Sequence, residues 1–286
     1  DIGVLLVAAG PSLFTTTTSN DVTLNNNNDF LSVGFPTARN ALLIDINDVG
    51  MNTTNLTGML LVITSGNITT GTGAVQVTGL TILDTQIAGN ITLNNAGNDF
   101  SQVNIAIAQD VIMRDANAYV VGTTDVNGNY TLTTAGDVTE GSFIDIDGTF
   151  TIDAGATSDV ILDDLDNNND FETVAITSAN NVVINELDDL DLGPSNISGT
   201  LDITISGALT DSGDVTVTGV ATLNVGTTVN ITLDNDGGGN DFSTVIVPAA
   251  NNVTLQDNNS IDLGNMTVDG ALDVLAGTNI TSSGTI

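Results

Sequence analysis

Apolar and polar residues alternate one by one along much of this chain. In VTL, IDL, MTV and LDV, all between Val253 and Val274, an apolar residue stands on each side of a polar one. A period of two is the mark of a half-buried strand. Val, Ile and Thr, which dominate these runs, are stiff at χ1 and suit a pleated surface. The runs are three to five residues long and are cut by Asn, Asp and Gly. Those residues supply the φ > 0 corners of tight turns. No segment of helical length carries an apolar stripe at three- and four-residue spacing, so the pattern predicts an all-β chain.

The alternation is organised by an internal repeat. LNNNNDF (Leu24 to Phe30), LNNAGNDF (Leu93 to Phe100), LDNNNDF (Leu165 to Phe171) and LDNDGGGNDF (Leu233 to Phe242) share one ending. Their phenylalanines recur at almost equal intervals. Gly10, Gly79, Gly148 and Gly219 recur in step, and NNVVI (Asn180 to Ile184) matches NNVTL (Asn251 to Leu255). The units run approximately 10–78, 79–147, 148–218 and 219–286. The Asn-Asp-Phe ending keeps its register while the polar run before it changes length. Length changes are tolerated where backbone faces water. The run is therefore expected to be an exposed loop, and Phe the point where the chain re-enters the core.

Two architectures answer to short strands with frequent turns: a β-solenoid, or a string of four small β-sandwiches. Strands this short, with no bulky aromatic plug for a sandwich core, favour the solenoid. The expectation is one continuous β-solenoid over residues 1–286, with about three coils per unit.

Composition narrows the function classes. The 286 residues include 35 Asp+Glu against 2 Lys+Arg and no His, a formal net charge of -33. Yet 41% are apolar, which separates the chain from disordered acidic tails. There is no Cys and no Trp, and aromatics make up 3%, so the core must be thin layers of Val, Ile, Leu and Ala. Thiol chemistry, zinc fingers and His-dependent catalytic triads lack their residues. The charge repels phosphate, so nucleic acid is not an expected partner. No apolar run approaches the ~20 residues of a membrane span.

NITLNNAGNDFSQVNIA (Asn90 to Ala106), VTVTGVATLNVG (Val215 to Gly226) and the segment from Asn252 to Thr281 resemble repeats of large secreted bacterial adhesins of the filamentous-haemagglutinin type. The resemblance covers essentially the whole chain and is carried by composition and motif. It implies a right-handed parallel β-helix at a cell surface or outside the cell. It does not extend to the secretion domain of such proteins, so it bears on fold and place more than on an adhesive task.

Leu6, Val75, Ile144, Val215 and Ile286 share one phase, and SGDV (Ser212 to Val215) matches SGTI (Ser283 to Ile286). No polar cap is recognisable at either end, although solenoids normally need one. The expectations are a slice of a longer array, or copies stacked head to tail into a filament. A monomer with frayed ends is the plainer alternative.

Candidate chemistry lies in the acidic loops. DDLDNNNDFE places Asp164, Asp166, Asn168 and Asp170 at every second residue, and DNDGGGND contributes Asp234, Asp236 and Asp241. Calcium wants six to eight oxygens, which alternating carboxylates and amides can supply. The closing bidentate Glu of a calcium loop is missing, and Asp and Asn also serve as plain turn formers. The first two loops carry one acid each and are not counted as sites. Asn180 and Asn251 are in phase, as are Asn181 and Asn252, but a whole unit apart, so phase alone does not establish an Asn ladder. ELDDLD (Glu186 to Asp191) is the best carboxylate cluster for glycosidic chemistry. A near-uniform repeat whose only cations are Arg39 and Arg114 argues against an enzyme. Eleven N-x-S/T sequons occur, among them Asn67, Asn90, Asn230 and Asn279. The sequence thus predicts a structural rod that forms an extracellular filament or stiff surface fibre. The alternative is an adhesin whose acidic loops grip glycans or cell surfaces.

Overall fold

The computed structural model describes residues 5–86, 89–163, 169–235 and 239–286. They form a parallel β-solenoid, and no helix occurs among them. The chain divides into two compact units, Asp1–Ala135 with Gly141–Gly148, and Gly136–Glu140 with Thr149–Ile286.

In the first unit the inward residues of short strands stack turn upon turn. Ala41–Asp45 lies on Leu60–Thr64, which lies on Val75–Asp84, which lies on Asp99–Ala108. A second column runs Val49, Ile68, Ile91, Val111, Tyr130. All these pairings are parallel, as expected when each turn returns the chain to the same place one layer on. The alternation shows directly in burial: in Ala41–Asp45 the first, third and fifth residues are buried and the other two are not. The second unit repeats the scheme, with Leu201, Ala221, Val245 and Leu263 in one column and Leu209, Ile231, Val253 and Leu272 in the other.

The number of turns per repeat differs from the expected three. Successive registers in the first unit run Ala41 to Leu60, Leu60 to Thr81, Thr81 to Val103 and Val103 to Val121. These steps are unequal, and each is short enough that one repeat holds about three and a half turns. Leu60 and Tyr130, equivalent in sequence, stand in different columns. So do Leu201 and Leu272. Equivalent residues of consecutive repeats thus alternate between the two columns, which carry the same apolar pattern.

All four motif phenylalanines are at most 1% exposed, so Phe30, Phe100, Phe171 and Phe242 are core residues as expected. Phe30 packs edge-on against Phe14 with centroids 5.7 Å apart, and Phe171 lies 6.1 Å from Phe150. The chain's two tyrosines, Tyr119 and Tyr130, are also buried, and their hydroxyls share a hydrogen bond of 2.8 Å. Burial holds both phenols well above their ordinary ionisation range.

Candidate functional site

Register explains why the polar runs vary. In the first unit Leu24 pairs with Leu43, and Asn28 with Asp45. Three residues lie between Leu24 and Asn28, but only one between Leu43 and Asp45. The surplus is expelled as a bulge. Leu93 pairs with Met113, Leu162 with Ile184 and Leu233 with Leu255, each two residues before the next acid. The third loop therefore begins at Leu162, not at Leu165, which lies outside the described residues.

The end of each loop is a fixed corner. Asn28, Asn98, Asn169 and Asn240 are at most 2% exposed. Three of them accept a backbone N–H from an earlier turn: Asn28 from Leu5 at 3.0 Å, Asn98 from Val75 at 2.8 Å, and Asn240 from Val215 at 2.8 Å. Asn98 also donates to the Leu93 carbonyl at 2.9 Å, closing its own loop. Two residues on, the Phe side chain turns inward. Its N–H donates to a buried carboxylate: Phe30 to Asp45 at 2.8 Å, Phe100 to Asp115 at 2.6 Å, Phe171 to Glu186 at 3.0 Å, and Phe242 to Asp257 at 2.7 Å. The acid is 15 residues after the Phe every time. Its second oxygen accepts from the next corner, as Asp45 does from Asn47 and Asp115 from Asn117.

Asp45, Asp115 and Asp257 are missing from the set expected on sequence grounds, and Glu186 was singled out there only within ELDDLD, although the constant spacing was there to find. Burial pushes Asp45 and Asp115 upward, opposed by the N–H bonds and reinforced by Asp29 and Asp99. Burial pushes Glu186 up to about 7, with Asp170 adding repulsion.

A second device runs along the turns. Asp48 accepts the N–H of Asn67, Asn67 that of Asn90, Asn90 that of Asp110, and Asp110 that of Asn129, at 2.7 to 3.1 Å. In the second unit Asp137, Asp159 and Asn181 link in the same way to Asp159, Asn181 and Thr200. Asn230 and Asn252 continue the pattern to Asn252 and Ala271. The ladder is real, with rungs 19 to 23 residues apart rather than a whole repeat. It also explains many sequons. An Asx corner, a buried apolar residue and an outward Thr spell N-x-T at Asn67, Asn90, Asn129, Asn230 and Asn252.

Of the expected calcium ligands, Asp164, Asp166, Asn168 and Asp236 lie outside the described residues. Asp170 is exposed and Asp234 and Asp241 are half-buried. Among the described residues no three acidic side chains converge on a point that would hold a metal ion. The fourth loop is organised from beneath by Asp211. That carboxylate accepts the N–H groups of Asp234 and Asn235, at 3.0 and 3.2 Å, and the Asn240 amide at 2.6 Å. Burial raises Asp211, and these donors oppose the shift. In the third loop Glu140 accepts from Asn169 at 3.0 Å. Arg39 is spent on Asp21 in an exposed ion pair of 2.7 Å.

A family model described as repeats of unknown function (DUF5649) matches residues 38–106, 108–178, 179–249 and 250–286. The chain belongs to this family of repeats. No curated protein and no solved structure matches it.

Proposed function

We propose that this member of the DUF5649 repeats is a structural rod, working outside the cell as part of a filament or stiff surface fibre. The observation that carries the reading is repetition, with no unique site among the described residues. Each copy rebuilds the same Asn-Asp-Phe corner over an acid at the same spacing, Asp in three copies and Glu in the third, and side-chain ladders tie turn to turn. A binding or catalytic protein concentrates distinctive groups in one place, whereas here the buried polar groups hold backbone. Stacked parallel turns satisfy one another's N–H and C=O groups, which makes a solenoid stiff along its axis. Lengthening uses the same contacts. In the last turn Ile280 is 49% exposed, and Leu272 and Val274 are half-buried. Their register partners one turn earlier, Val253, Leu255 and Ile261, are at most 1% exposed. A further turn of the same repeat fits that face, whether it comes from the same chain or from a second copy stacked head to tail. The extracellular setting rests on the resemblance to secreted adhesin repeats. The charge of -33 keeps rods apart sideways, and calcium at the third and fourth loops would lower that repulsion.

Electron microscopy of the purified chain, with calcium and with chelator, tests the reading. Long unbranched fibres a few nanometres wide are expected. Discrete short particles in both conditions would refute stacking. Fibres lost on chelation would make the acidic loops metal sites.

The adhesin reading keeps one supporting feature, a shallow hollow of about 320 Å³ lined by Asn90, Thr92, Asp110, Ile112, Asn129 and Thr131. Its weakness is that both tyrosines are buried, so neither is free to stack on a sugar ring. Binding to a glycan array that is lost in Asn129→Ala would favour it.

A further inference from the structure

The corners of the first unit hold Asp45 and Asp115, each 2% exposed and, among the described residues, with no cation against it. Buried carboxylates are normally paired with a cation, because an isolated charge is costly away from water. Here the groups facing them are themselves acidic or neutral. Asp45 meets Asp29 from the motif strand, with Asp48 at its own corner, and Leu60–Thr64 on the other side carries no charged residue. Asp115 meets Asp99, together with the buried hydroxyl pair of Tyr119 and Tyr130. The neighbouring strands Ile91–Leu93 and Tyr130–Thr133 carry no charged residue, and Arg114, next in sequence, is exposed. Each site is thus a buried carboxyl beside a like charge, held only by peptide N–H groups. Burial and the like charge favour the protonated acid in the folded state and outweigh the N–H bonds, which favour the carboxylate.

We propose that these corners are acid-strengthened latches, so that the rod tightens as the surroundings acidify and loosens as they become neutral, in a protein that has no histidine. Folding favours proton uptake at both sites. The stabilisation is complete below the ordinary aspartate range and is lost as pH rises through the higher value of the folded protein. The latch belongs to single turns and does not depend on copies stacking.

Urea unfolding of the full chain at pH 4.5 and pH 7.5 tests it, with Asp45→Asn, Asp115→Asn and the exposed control Asp202→Asn. The wild-type midpoint is expected to be higher at pH 4.5. General relief of charge repulsion contributes to that difference, and Asp202→Asn reports its share. Asp45→Asn and Asp115→Asn should each lose a further part of the difference. Retention of the full pH dependence in both would overturn the proposal. Should the buried variants not fold, Asp29→Asn and Asp99→Asn decide. Each removes the repelling neighbour and leaves the latch in place. A shift of the pH transition to lower pH supports the latch, and an unchanged transition overturns it.

Discussion

Asn98→Ala tests the corner most directly. The Asn98 side chain is 1% exposed, accepts the Val75 N–H at 2.8 Å and donates to the Leu93 carbonyl at 2.9 Å. Val75 and Leu93 are each 1% exposed, so water does not readily replace the lost partner. An orphaned buried donor or acceptor costs about 1–3 kcal/mol, and two are created, so the variant should lose about 3 kcal/mol locally. In a solenoid each turn depends chiefly on its neighbours, so a local probe is the right one. Hydrogen exchange at the Val75 amide should speed up roughly 100-fold, the factor that about 3 kcal/mol implies. The control is Asn94→Ala on the same loop. Asn94 is exposed and its side chain accepts the Thr70 hydroxyl at 3.1 Å, so its removal should cost within about 0.5 kcal/mol. If the two variants exchange alike at Val75, the Asn-Asp-Phe corner is not what joins the turns.

Two further outcomes follow from single residues. Gln86 has φ of 66°, where Gly155 and Gly226 have φ of 81° at the equivalent corner. Gln86→Gly should therefore raise stability by about 0.5–1 kcal/mol in thermal or urea unfolding, and a loss would show that its contact with Ser65 outweighs the backbone strain. Glu186 is held at about 7, above its ordinary value of 4.5, mainly by burial. Its contribution is fully present below about pH 4.5 and disappears as pH rises through about 7, a difference of roughly 3 kcal/mol at most. Glu186→Gln should flatten that part of the stability–pH curve, and an unchanged curve would exclude Glu186 as its source.

The alternation of residues such as Val253 to Val274 determined strands by itself, since side-chain direction reverses at every residue of a pleat. The repeat period and the burial of Phe30, Phe100, Phe171 and Phe242 were equally legible, because a core layer that recurs must keep its register. Turn length was not. Turns of unequal length are evened out by bulges that leave the apolar pattern untouched, so nothing in the period distinguishes three turns from three and a half. The ladder was invisible for the same reason. Its rungs join Asn67 to Asn90 and Asp110 to Asn129, residues brought together by stacking and not by repeat phase. The acids 15 residues after each Phe could have been counted in the sequence. Only the folded chain decided that Asp45 and Asp115 would be buried against a peptide N–H while Asp170 stayed in water. A carboxylate's role depends on which backbone donors and how much solvent surround it, and those are set when one turn is laid on the next.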